Sequence, residues 1–250
     1  MPTTELEQRE ERDAAAGGAA KRDYVRRIFS EIAPRYDLLN HVLSLNIDRA
    51  WRRRAIAALR WDRRPDGTYV DVCAGTLDAG VELARQRGFL GRVVAADFAE
   101  PMLRSGRAKV GSLAVRPVVA DALQLPLPDR TAAGALIAFG ARNLASLDAG
   151  LAELYRVLAP GARLVILEFS TPRSPVVRWG YHLYFRHVLP RVGRLVSGHP
   201  TAYTYLPDSV SNFPAVEQLA HQMREAGFTN VGWRSLSFGI AALHTGERAA

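Results

Sequence analysis

From residue 68 onward, short apolar runs alternate with stretches of helical spacing, and this alternation limits the fold more than any other feature of the chain. "TYVDVC" at 68–73, "GRVVAADF" at 91–98, "AVRPVVAD" at 114–121, "AAGALIAFG" at 132–140 and "ARLVILEFS" at 162–170 read as strands, with helices at 79–87, 100–109 and 147–158. Apolar strands separated by helices predict an α/β fold, a parallel sheet with helices on both faces. Ligands of such sheets lie beyond the carboxyl ends of the strands, so the chemistry is expected there. A helix at 214–226, the turn "AGFTN" and the strands "VGWRSLS" and "GIAALHTG" complete the pattern.

The 250 residues suffice for one large domain with a substantial core. Residues 1–20, charged and then alanine- and glycine-rich, read as a disordered tail. Residues 21–250 read as a single domain. It carries an N-terminal helical cover at 24–60 and an aromatic helical insert at 171–213, whose Trp179, Leu183, Tyr184, Val188 and Leu189 look too apolar to be solvated. The lone cysteine, Cys73, excludes a disulfide framework and a cysteine-based zinc site, and no metal is expected. The N-terminus is polar and acidic, without the pattern of a signal peptide, and no apolar run reaches about 18 residues. A cytoplasmic location is therefore expected. The net charge of +8 favours anionic partners, either nucleic acid or lipid headgroups. Within 49–60, Trp51, Ile56 and Leu59 oppose Arg49, Arg52, Arg53, Arg54 and Arg60. This is either a helix covering the sheet with solvated arginines or a face for a membrane surface.

The loop "DVCAGTLDAG" at 71–80 follows the first strand and opens a helix, the order that holds nucleotide-like cofactors. Asp71 ends the first strand and Gly75 permits a tight turn with close backbone approach. Asp97, followed by Phe98, ends the second strand, placed to accept from two ribose hydroxyls. Asp121, next to Ala122, ends the third and can accept from an adenine amine. Three acids suit an adenosine held without phosphate, since a pyrophosphate prefers cationic or glycine-rich surroundings. S-adenosylmethionine, with its sulfonium and ammonium groups, fits; NAD fits poorly, because G-x-G-x-x-G is absent. The fourth strand ends in "AFGARN", where Arg142 cannot act as an ordinary base but can stabilise an oxyanion. An Asn-Pro-Pro-Tyr-like turn, expected of base and amide methylation, is absent.

Four stretches now resemble one family: "IFSEIAPRYDLLNHVLSLNIDRAWR" at 28–52, "DALQLPLPD" at 121–129, "FGARNLASLDAGLAELYRVLAPGARLVILEFS" at 139–170, and "YTYLPDSV" with "AGFTNV" and "GIAALHTG" near the end. The chain resembles the UbiE/MenG prenylquinone C-methyltransferases from about Val25 to Gly246. That resemblance implies a class I S-adenosylmethionine-dependent methyltransferase, Rossmann-like, with a seven-stranded, mostly parallel sheet ending in an antiparallel hairpin. It implies a demethylated prenyl hydroquinone, either demethylmenaquinol or a benzoquinol, methylated on ring carbon. Thr76 and Asp78 match positions beside the donor's methionine end, Asp97 the ribose acid, and Asp121 with Ala122 the adenine pair. Arg142 and Asn143 match the pair near the acceptor, while Tyr36, Asp37 and Asn40 match the segment that closes over the site.

Catalytic roles are expected for Arg142, Tyr36 and Asn143, and weaker ones for His41 and His199. Donor contacts are expected from Asp71, Gly75, Thr76, Asp78, Asp97, Phe98, Asp121 and Ala122. The expected partners are the quinol and the inner face of the cytoplasmic membrane, with a homodimer left open and nucleic acid disfavoured. Three residues depart from the family pattern: Leu77 and Asn46 stand where glycine is usual, and Ser211 where arginine is common. If Leu77 points at the donor, binding fails and a non-catalytic subunit of a quinone-synthesis assembly becomes the better reading. A methyltransferase of another small aromatic is a further alternative.

Overall fold

The computed structural model of the chain describes residues 18–37, 44, 46–184 and 209–250. Seven strands form one sheet: β1 (Thr68–Val72), β2 (Arg92–Asp97), β3 (Val115–Val119), β4 (Ala132–Ala138), β5 (Leu158–Phe169), β6 (Phe228–Leu236) and β7 (Ala241–Arg248). Their spatial order is β3-β2-β1-β4-β5-β7-β6. The first five are mutually parallel, and β7 runs antiparallel to both β5 and β6. This is the seven-stranded sheet with a C-terminal hairpin that the family resemblance implies.

The side chains of each strand alternate between two cores. Tyr69, Val93, Ala95, Leu136, Val165 and Leu167 pack under α2 (Ile47–Ala58) and α3 (Asp78–Ala84). Val70, Val72, Ala96, Ala135, Ile137, Leu164 and Ile166 pack under α5 (Leu147–Val157) and α7 (Val216–Glu225). Burial on both faces explains why the strands are apolar throughout. Between these helices come α4 (Glu100–Gly106), which precedes β3, and α6 (Pro175–Leu183), which follows β5. The N-terminal helix α1 (Gly18–Ile32) lies across the carboxyl ends of the strands, where its Gly18 N–H donates to the Ala145 carbonyl at 3.1 Å.

Two expectations are corrected. Strand β5 begins at Leu158 rather than 162, because Leu158 pairs with Ala132 before a register shift brings Arg163 opposite Gly134. On α6, Trp179 and Leu183 are not sequestered. They are exposed, with Val176, on one stripe, whereas Tyr181 is buried.

Both departures from the family's glycine pattern sit at left-handed backbone. Asn46 has φ of 61° and precedes α2; its short polar side chain tolerates that conformation. Leu77 has φ of 69° and precedes α3, its N–H donating to Ala74 and its carbonyl accepting from Val81, both at 2.9 Å. Left-handed backbone costs a leucine about 1–2 kcal/mol. Its side chain, fully buried in the core with Trp51, Ala55 and Leu83, returns about 1.5–3 kcal/mol. Packing therefore offsets the strain. Leu77→Gly is expected to lower stability: it relieves the strain but opens a cavity of the kind that costs about 2–5 kcal/mol for leucine truncation. A lower urea midpoint checks this, and a raised midpoint would show that strain dominates.

Candidate active site

A cleft opens at the carboxyl ends of β1, β2 and β4, lined by Cys73, Gly75, Ala96, Asp97, Phe98, Asp121, Ala122, Phe139 and Asn143 among others. The cover closes it from above. Arg22, Val25 and Phe29, spaced along one face of α1, and Tyr36 just beyond it, complete the wall. Phe29 and Tyr36 pack edge-on at 5.9 Å and rest on Ala33, Ala99 and Met102. The cover leaves about 50 Å³ of free space in the cleft.

Two carboxylates, Asp97 buried and Asp121 half-buried, shape the floor. Asp97 accepts from Gly75 N–H at 2.8 Å through one oxygen and from Ala99 N–H at 2.9 Å through the other. Burial raises its pKa, and the backbone donors of Ala99, Gly75 and Phe98 partly oppose the rise. Gly75 is left-handed (φ 53°), with the Tyr36 ring 3.9 Å from where a Cβ would stand. Asp121 accepts from Leu123 N–H at 2.9 Å with one oxygen, while the other faces Arg22 at 3.6 Å. The carboxylates of Asp97 and Asp121, with a glycine between strand and helix, fit the hydroxyls and amine of an adenosyl sulfonium.

Four of the sequence-derived residues do not line the cleft. Asp71 lies beneath it, accepting from Gly80 N–H at 2.8 Å and so fixing α3 against β1. Thr76 donates its hydroxyl to Asp37 at 2.5 Å. Asp78 binds Lys109 at 2.6 Å and Arg52 at 2.9 Å. Lys109 reaches on to Asp37 at 2.5 Å, and Arg52 to Asp48, which accepts from the Ser44 hydroxyl. These contacts form a continuous chain from the glycine loop to the segment that leads into α2. Leu77 is absent from the cleft wall, its side chain committed to the core on the far side of the loop.

Arg142 is buried beside the cleft. Its guanidinium donates to Glu168 at 2.7 Å and to the Phe139 carbonyl at 2.5 Å, and stacks over Phe169 at 5.5 Å. The Arg142 backbone N–H donates to the other Glu168 oxygen at 3.2 Å. Two groups feel its charge. Burial, then the Arg142 charge, lowers the Lys21 pKa; burial raises that of Tyr181, which the Arg142 charge opposes. Burial and the surrounding carboxylates push the Cys73 thiol well above its ordinary value.

Sequence reasoning missed Glu168, Lys21, Arg22 and Lys109. Glu168 carried a signal, an acid inside the otherwise apolar run "LVILEF". The other three looked like ordinary surface cations. Asn40, His41, His199 and insert residues 185–208 lie outside the described residues.

The ubiE/COQ5 methyltransferase family profile matches residues 18–248. A demethylmenaquinone methyltransferase from Deinococcus radiodurans is 48% identical over 227 residues, covering 90% of this chain and 92% of the relative. One from Thermus thermophilus is 49% identical over 223 residues, covering 88% of this chain and 100% of the relative. A ubiquinone/menaquinone biosynthesis C-methyltransferase UbiE from Geobacter sulfurreducens is 44% identical, covering 91% and 90%. Among solved structures, a SAM-dependent methyltransferase from Thermotoga maritima superposes with a TM-score of 0.63 at 19% identity, covering 90% of this chain and 99% of that one.

The Asp71 carboxyl has a measurable consequence. Burial, reinforced by the Asp97 charge, raises its pKa from 3.8 to about 7. A carboxyl raised on folding favours the native state below its unfolded value and loses that contribution as pH rises through its folded value. Stability is thus expected to decline from pH 4 to 7 by up to about 4 kcal/mol from this group, at 1.36 kcal/mol per unit. Denaturant midpoints should show a flatter profile over this window in Asp71→Asn, which keeps an oxygen for Gly80. An unchanged slope would contradict the assignment.

Proposed function

Because the chain belongs to the ubiE/COQ5 methyltransferase family, we propose that it transfers a methyl group from S-adenosylmethionine to a ring carbon of a demethylated prenyl hydroquinone in quinone biosynthesis. Demethylmenaquinol, yielding menaquinol, is the acceptor best supported, since two of the relatives sharing nearly half their residues with this chain carry that name. The single observation that carries catalysis, rather than a silent scaffold, is the side chain of Leu77. It is buried in the core and leaves the cleft clear.

When bound, S-adenosylmethionine supplies an electrophilic methyl group on a sulfonium. Asp97 and Asp121 accept from the hydroxyls and amine of its adenosyl part. Asp71, Thr76 and Asp78 act indirectly, by holding the glycine loop in place through Gly80, Asp37, Lys109 and Arg52. A hydroquinone hydroxyl has a pKa of about 10, so its ring carbon becomes strongly nucleophilic only when that proton is lost or shared. Arg142, held by Glu168 behind the cleft wall, acts on the resulting oxyanion through its charge rather than by direct contact, and Asn143 and Tyr36 orient the ring within the cleft. The exposed apolar stripe of Val176, Trp179 and Leu183 supports a peripheral membrane association, in which the prenyl tail of the acceptor stays in contact with lipid. No helix of the described residues is long and apolar enough to cross a membrane.

Purified protein given S-adenosylmethionine and a short-chain demethylmenaquinol should form a product one methylene heavier by mass spectrometry. No product with either a naphthoquinol or a benzoquinol would overturn the reading. Arg142→Ala is expected to lower turnover about 10²-fold, as for loss of an oxyanion donor, with donor affinity little changed. Because it leaves Glu168 buried and unpaired, at a cost of about 3–5 kcal/mol, the double variant Arg142→Ala/Glu168→Gln serves as the folded control. Equal losses of turnover and donor affinity would argue against this role.

A further inference from the structure

The cover meets α4 through two kinds of contact. At the start of α4, Ala99 and Met102 receive Ala33, Phe29 and Tyr36. Past its end, Lys109 meets Asp37 at 2.5 Å. The first contact is apolar and non-directional, so it holds the cover down without fixing where along α4 it sits. The second is a charge-assisted pair of narrow geometry. The register of the cover over the cleft is therefore set by the ion pair.

Lys109 reaches this place because of the residue one turn before it. Gly106 ends α4, and without a Cβ it lets the helix end press against the Thr76 backbone of the glycine loop. Three residues on, the Lys109 ammonium bridges two carboxylates, Asp37 at 2.5 Å and Asp78 at 2.6 Å. Three donors on a flexible stem suit such a bridge. Asp37 divides its oxygens in turn: one accepts from the Thr76 hydroxyl at 2.5 Å, and the other faces Lys109. Tyr36 precedes Asp37 and Gly75 precedes Thr76, and both Tyr36 and Gly75 line the cleft. A wall residue of the cover and a wall residue of the loop are thus tied through their immediate neighbours.

We propose that Lys109 is a positioning residue for the donor: by holding Asp37 and Asp78 together, it seats the cover over the glycine loop in the register that closes the cleft around S-adenosylmethionine. The inference rests on the methylation reading, which supplies the occupant of the cleft. Removing Lys109 strands neither carboxylate, because Asp37 keeps the Thr76 hydroxyl and Asp78 keeps Arg52. The pair is also half-exposed, and such pairs contribute little to overall stability. Its loss therefore acts on the cover rather than on the fold.

The test uses the full chain. S-adenosylmethionine is titrated calorimetrically, and amide hydrogen exchange is followed along the chain without donor. Lys109→Met and Asp37→Asn are each expected to weaken donor binding about tenfold or more. Each should also speed exchange within 18–37 while leaving the strands β1 to β5 as in wild type. The double variant Lys109→Met/Asp37→Asn should lose no more than the worse single variant, because both changes remove the same tie. Lys109→Arg, which keeps a cation, should recover most of the loss. In turnover with a short-chain demethylmenaquinol, the donor KM should rise by a larger factor than the maximal rate falls, whereas a misfolded fraction lowers the maximal rate and leaves KM alone. Asp37→Asn tests the same tie from the cover side should Lys109→Met misfold. Additive losses in the double variant, or exchange raised alike over the whole chain, overturn the role. Wild type that binds no S-adenosylmethionine overturns the methylation reading and this inference together; wild type that binds it no better than the variants overturns this inference alone.

Discussion

The Asp97 carboxylate is the pin on which the cleft turns. One oxygen holds Gly75 of the loop after β1, and the other holds Ala99 at the start of α4, so a single side chain fixes two loops from neighbouring strands. Burying a carboxylate is costly unless its oxygens find donors, and here backbone N–H groups supply them. Asp71 repeats the device one layer deeper by holding Gly80. Gly106 shows how close the packing above is. A Cβ there would lie 2.2 Å from the Thr76 carbonyl oxygen, so α4 can approach the loop only as glycine.

Besides its many exposed charges, this protein carries buried or half-buried chains of ion pairs. The series Thr76–Asp37–Lys109–Asp78–Arg52–Asp48 joins the glycine loop to the cover segment, and Arg142–Glu168 joins the ends of β4 and β5. Exposed ion pairs contribute little to stability, but pairs removed from water act mainly by enforcing geometry, because separating them leaves an uncompensated charge. The cover and the catalytic floor are thus aligned by electrostatics as well as by the contacts of Phe29 and Tyr36 with Met102.

Much of the architecture was legible. The strands at 68–72, 92–97, 115–119 and 132–138 fall within the apolar runs, because burial on both faces favours apolar residues in the inner strands, while the edge strand at 115–119 leaves Arg116 and Val119 exposed. The ends were less so. Leu158–Gly161 looks like the close of a helix and a Pro-Gly turn, yet Leu158 pairs with Ala132, a contact set by the neighbouring strand. Trp179 and Leu183 read as core because they are large and apolar, but only the surrounding fold decides whether a helix face has something to cover it. Of the residues singled out for the site, Gly75, Asp97, Phe98, Asp121, Ala122, Tyr36 and Asn143 meet at one cleft. Asp71, Thr76, Asp78 and Arg142 lie behind its wall.

By itself the sequence determined the alternation of strands and helices, the acids at three successive strand ends and the glycine loop between strand and helix. Each of these is a local property, written in periodicity and residue type. It left open the direction of Leu77 and the partner of Arg142. Those depend on which side chains from distant segments share a space, and the spacing of one segment carries no information about that. Leucine is tolerated at φ 69° because its side chain is buried in a core cluster that includes Trp51, Ala55 and Leu83, and that cluster forms only once the sheet has closed under α2 and α3.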